Sequence, residues 1–132
     1  ISGSVVVYAP PEESILIALN TQDGKRLWEK PKESWLYLAG VFDDRVILVG
    51  RSEVGALALA TGKPLWTSAL GDDVRPSGRG LAVDDHFYIP LSSGELRTID
   101  LKNGKTIAQT YVPPKHPSLG NLAMHRGKLV AL

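Results

Sequence analysis

Ala18-Leu19-Asn20-Thr21-Gln22-Asp23-Gly24-Lys25-Arg26-Leu27-Trp28 and, aligned to it without a gap, Ala56-Leu57-Ala58-Leu59-Ala60-Thr61-Gly62-Lys63-Pro64-Leu65-Trp66 are two copies of one pattern. A looser third copy runs from Thr98 to Ala108, with Ala108 in the place of the tryptophan. The Gly-Lys pair therefore recurs at Gly24, Gly62 and Gly104, in steps of 38 and 42 residues. A second landmark runs out of phase with the first. It reads Val41-Phe42-Asp43-Asp44-Arg45-Val46, then Ala82-Val83-Asp84-Asp85-His86-Phe87, then Ala123-Met124-His125-Arg126-Gly127-Lys128-Leu129. Two landmarks that share one period define a repeat, each unit burying its apolar faces against its neighbours.

Every repeat holds four short apolar runs divided by Gly, Asp, Asn, Ser or Pro, the pattern of consecutive hairpins. In the second repeat the strands are expected at 35–42, 46–50, 55–60 and 65–69, and in the third at 79–83, 87–91, 95–101 and 106–112. The first repeat begins at its second strand, with 5–9, 15–20 and 26–30, and the fourth stops early, with 119–125 and 129–132. Val46-Ile47-Leu48-Val49 is apolar throughout, as in a strand covered on both faces. On the third strands, Leu19, Leu57 and Ile99 share one face and Ala18, Ala56 and Thr98 the other, so large residues meet small ones between neighbouring sheets. The fold class is therefore all-β: about three four-stranded antiparallel blades of a larger β-propeller, an incomplete ring with blade segments 1–34, 35–77, 78–118 and 119–132.

Asp23-Gly24, Thr61-Gly62 and Asn103-Gly104 close tight turns in which glycine supplies a positive φ. Trp28 and Trp66 follow four residues after their glycines, where an indole can lie over the next blade and donate its N–H. Replacing Trp66 by Ala is expected to cost about 3–5 kcal/mol, the usual loss on emptying a large aromatic site. These residues resemble the tryptophan-docking motif, Ala-x-Asn/Asp-x-x-Thr/Asp-Gly-Lys-x-x-Trp, of pyrroloquinoline quinone (PQQ) dehydrogenases. Their non-enzymatic relatives, including the outer-membrane assembly lipoprotein BamB, look similar. The second copy departs at Ala58 and the third at Ala108. The resemblance implies a PQQ-like, quinoprotein-like repeat family, a parent ring of eight blades, and a bacterial protein in the periplasm or another extracytoplasmic space. The paired Gly-His and Trp-Asp of WD40 blades and the double glycine of kelch are missing.

Composition removes several function classes. Fifteen basic and fourteen acidic side chains nearly cancel and lie scattered, so no field gathers phosphate or anionic lipid, and no nucleic-acid partner is expected. With no cysteine there is no disulfide, zinc thiolate site or thiol nucleophile. Apolar runs are far shorter than the ~20 residues of a membrane helix. Ile1 to Ser4 carry no initiator Met or leader pattern, and Lys128 to Leu132 read as a strand stopped partway, so both ends read as cut. His116 and His125 lack metal-ligand spacing, and no phosphate loop or nucleophile elbow is present.

In an up-and-down meander alternate turns emerge on opposite sides. Asp43, Asp44, Asp84, Asp85 and the Gly-Lys pairs then belong to one side, in turns whose composition is explained by turn chemistry. The other side collects the longer connections, and the candidate binding face is Arg51, Glu53, Asp72, Asp73, Arg75, Arg79, Lys115 and His116. Two functions compete. One is a non-catalytic binding or scaffold module, without cofactor or catalytic residues, that presents its loop face to another protein or a carbohydrate and its open edges to the remaining blades or to a second copy. The other, implied by the resemblance, is a fragment of a PQQ- and calcium-dependent alcohol or sugar dehydrogenase. That enzyme needs oxygen ligands for calcium and a carboxylate base. A sensor domain of a signalling protein would look like the first.

Overall fold

The structure is a computed structural model that describes residues 3–111 and 119–132. The strands are β1 (Val5–Tyr8), β2 (Ile15–Asn20), β3 (Arg26–Pro31), β4 (Trp35–Phe42), β5 (Arg45–Gly50), β6 (Glu53–Ala58), β7 (Pro64–Ala69), β8 (Leu81–Val83), β9 (His86–Pro90), β10 (Glu95–Asp100), β11 (Thr106–Tyr111), β12 (Leu122–His125) and β13 (Lys128–Ala131), with no helix among the described residues. They form sheets in the orders β1-β2-β3, β4-β5-β6-β7, β8-β9-β10-β11 and β12-β13, each an antiparallel meander of consecutive strands. The repeats are thus blades, two of them complete.

One hydrogen bond marks the repeat. Leu59 N–H donates to Asp44 O at 2.9 Å, Leu101 N–H to Asp85 O at 2.9 Å and Thr21 N–H to Ser4 O at 2.7 Å, each tying the end of a blade's third strand to its first turn. The next turn is equally regular. Gly24, Gly62 and Gly104 take φ of 71°, 71° and 75°, and each donates its N–H to the residue four before it. Side chains brace these turns: Asp23 accepts from Lys25 N, Thr61 from Lys63 N and Asn103 from Lys105 N.

The differences from the expected bounds have local causes. The third strand of the second repeat runs Glu53–Ala58, not 55–60, because Leu59 N–H is spent on Asp44 and Ala58 already opens the turn. The first strand of the third repeat begins at Leu81, not Arg79. Arg79 N–H donates to Asn121 Oδ1 at 2.8 Å and Arg79 O accepts from Leu122 N–H at 3.0 Å, so its backbone serves the following hairpin. Gly78 and Gly120 are forced by close approach: a Cβ on Gly78 would collide with the backbone of Gly120, and one on Gly120 with the carbonyl of Leu132. Val112, expected in the last strand of that repeat, lies outside the described residues.

The chain divides into two compact units, Ile1–Gly50 with Val54–Thr67, and Arg51–Glu53 with Ser68–Leu132. The first has a core of Val7, Leu16, Ala18, Trp28, Val46, Leu48, Leu57 and Leu59. Val46 to Val49 are all fully buried, as expected of a strand covered on both faces. In the second unit Leu70, Phe87, Ile89, Leu91, Ile99, Leu101 and Leu122 are buried.

Candidate functional site

In the first unit the candidate site starts from Trp28. Its position on β3 alternates with exposed neighbours, so the indole turns inward and is only 9% exposed. Trp28 Nε1 donates to Leu59 O at 2.7 Å, and two residues on Lys30 Nζ donates to Gly62 O at 2.9 Å. Both acceptors are main-chain carbonyls at the turn of the second repeat, where a lone pair left unpaired would cost stability. Gly62 is needed there twice over. Its φ is positive, and a Cβ would stand 2.8 Å from Trp28 Cδ2. Trp66 holds the same sequence position one repeat on but is half-buried, so the larger packing loss is expected at Trp28. Ala108 and the whole of β11 are exposed.

In the second unit the backbone draws the loops of the candidate binding face together. Leu70 N–H donates to Ser52 O at 2.8 Å, Arg75 N–H to Ser92 Oγ at 3.1 Å and Ser92 N–H to Arg75 O at 2.8 Å, while Pro76 bridges Leu91. Arg51, Asp72, Asp73, Arg75 and Arg79 stand exposed around these ties, and Glu53 is half-buried at the start of β6. Asp73 adopts a positive φ of 58°. Lys115 and His116 lie outside the described residues. The paired aspartates sit in two-residue turns, with positive φ at Asp43, Asp44 and Asp84. Asp85 meets Lys102 at 3.1 Å with both side chains well exposed, a contact worth little.

Sequence reading missed the buried pair in the same unit. Glu95 and Arg97, 2% and 7% exposed, alternate on β10 and so point to one side. Arg97 Nε donates to Glu95 Oε1 at 2.7 Å and Nη2 to Oε2 at 2.9 Å, a two-pronged contact. Arg97 Nη1 then donates to Leu70 O at 2.8 Å and Ala69 O at 3.1 Å. A Glu-x-Arg pair inside an apolar third strand was the available signal. The strand's equivalents in the earlier repeats show no such charge pair, since Glu53 is followed by Val54 and Gly55, and Trp35 packs over Gly55 instead.

Among the described residues no three His, Asp or Glu side chains gather as a ligand set, and the one carboxylate that is deeply buried is held by Arg97.

The geometry defines a class, a β-propeller built of docked four-stranded blades. The family model described as outer membrane protein assembly factor BamB matches residues 2–130, and the chain belongs to that family. Among solved structures, BamB from Moraxella catarrhalis aligns with a TM-score of 0.71 at 22% identity, over 98% of this chain and 43% of that one. Quinohemoprotein alcohol dehydrogenase ADHIIG from Pseudomonas putida HK5 aligns with a TM-score of 0.65 at 21% identity, over 96% of this chain and 22% of that one. A europium-containing methanol dehydrogenase gives 0.63 at 17%, over 89% and 25%. The chain thus spans less than half the length of these relatives. A search of curated proteins finds no match.

Proposed function

We propose that this chain is part of a non-catalytic, extracytoplasmic propeller that binds other proteins and works without a bound cofactor. The observation that carries the reading is a repeated exposed apolar side chain. Leu27, Leu65 and Ile107 hold the same position on the outermost strands of successive repeats, at 44%, 50% and 51% exposure. Large apolar groups that a fold leaves outside mark contact surfaces when they recur in pattern. The polar groups favour the same reading, because Asp23, Thr61, Asn103 and Glu95 are engaged in holding turns and strands. The exposed loop charges Arg51, Asp72, Asp73, Arg75 and Arg79 are proposed as a second, polar contact face. Two further contacts are proposed: a carbohydrate on the loop face, and a second copy along the exposed strand β11.

Calorimetric titration of the full-length protein with PQQ and calcium separates this reading from the dehydrogenase. No saturable heat is expected. Binding at micromolar or tighter strength would overturn the scaffold reading. Sedimentation of this chain tests the second copy: a monodisperse monomer at all concentrations removes it.

A further inference from the structure

Leu19, Leu57 and Ile99 are equivalent in their repeats, so two residues earlier one position is held in turn by Ile17, Gly55 and Arg97. In the first two repeats that position is apolar. Ile17 is buried, and the ring of Trp35 fills the space over Gly55. Of the three, only the third puts a guanidinium there, with Glu95 to meet it. The connections between strands differ in step with this. Residues 32–34 alone join β3 to β4, whereas the longer segment 70–80 joins β7 to β8. A buried charge pair adds little net stability over apolar packing, so its presence beside the long connection calls for a local reason.

Both ends of that connection lead to the pair. At the entry, Arg97 Nη1 donates to the carbonyls of Ala69 and Leu70, while Leu70 N–H donates to Ser52 O at 2.8 Å. At the exit, Arg75 and Ser92 exchange two hydrogen bonds, Ser77 N–H donates to Pro90 O at 3.0 Å and Pro76 bridges Leu91. The turn that carries Leu91 and Ser92 is closed by Leu91 N–H on Glu95 O at 2.8 Å. Glu95 therefore serves the exit with its main chain and the entry through Arg97. Between these clamps Gly71 and Asp73 take positive φ of 114° and 58°, which folds the tip and leaves Asp72, Asp73 and Arg75 exposed.

We propose that Glu95 and Arg97 are positioning residues for the polar contact face: from inside the blade the pair fixes loop 70–77, so that Asp72, Asp73 and Arg75 meet a partner already ordered. A loop ordered beforehand loses less entropy on binding. The ties between Arg75 and Ser92 hold the exit by themselves. What the guanidinium adds is the entry, where two main-chain carbonyls need donors that no apolar side chain supplies. The inference rests on the loop-face reading above and names what holds that face in shape.

The test is hydrogen exchange followed by mass spectrometry on the full-length protein, comparing the wild type with the double variant Glu95→Leu, Arg97→Met. That variant keeps the interior apolar and is expected to retain most of the stability, so local loosening is separated from general loosening. Amides of residues 70–75 should exchange at least about tenfold faster, the mark of a local opening, while β5 and β9 keep their protection. Arg97→Lys, which keeps a cation opposite Glu95 but has one donor group for two carbonyls, should fall between. Unchanged exchange at residues 70–75 in both variants would overturn the inference. So would an equal rise across β9 and β10, which a pair that only stabilises the sheet would give. A partner bound on the loop face with exchange unchanged sinks the pair's role alone, and a loosened loop with no partner sinks the face alone.

Discussion

The two units grip neighbouring backbone in different ways. In the first, Trp28 and Lys30 donate to the carbonyls of Leu59 and Gly62. In the second, Arg97 donates to the carbonyls of Ala69 and Leu70 and must bring Glu95 with it. The indole carries its own apolar area into the core, so its hydrogen bond comes with hydrophobic stabilisation. The guanidinium loses hydration on burial and is tolerated only because a carboxylate meets it with both oxygens. One joint is tolerant of its surroundings and the other is all-or-none.

Removing either grip should produce the largest effects. Trp28→Ala is expected to cost about 3–5 kcal/mol, through lost burial and a cavity beside Gly62. Arg97→Met should cost a similar amount, about 3–5 kcal/mol, because Glu95 is left buried and unpaired. Urea unfolding followed by far-UV circular dichroism measures both. The contrast sharpens when the second partner is removed as well. Glu95→Leu together with Arg97→Met should recover most of the loss, since a buried ion pair replaced by apolar groups is often near neutral. A double variant no more stable than Arg97→Met alone would show that the carbonyls of Ala69 and Leu70 need the guanidinium, and the comparison would fail.

Smaller effects separate the parts of the aromatic grip. Trp66→Ala should cost less than Trp28→Ala, because its side chain is half-buried where Trp28 is 9% exposed. Trp28→Phe keeps most of the apolar area and loses the donor, for about 1 kcal/mol, near the net worth of one hydrogen bond. Gly62→Ala should destabilise more than Gly24→Ala. Both pay for a positive φ, but only the first sets a methyl against the indole at 2.8 Å. Equal losses at the two glycines would contradict the placement of Trp28.

The blades were readable because their signals are local. A glycine at positive φ, an alternating strand and a two-residue Asp turn each follow from a few consecutive residues, so Trp35–Phe42 appears in the structure with the bounds its pattern predicts. The ends of strands were less readable where a distant group claims the backbone, as Asp44 does at Leu59 and Asn121 at Arg79. Of the candidate binding face, the sequence located the loops but not the ties between Arg75 and Ser92 that hold them.

Period, strand order, turn positions and the blade architecture are thus determined by the amino-acid sequence alone, through backbone sterics and the alternation of apolar side chains. Tertiary structure decided which of two equivalent tryptophans is buried, that Glu95 and Arg97 form an interior pair, and that Trp28 covers Gly62. Those outcomes depend on which residue from a distant repeat arrives at each surface, and the local sequence does not record it.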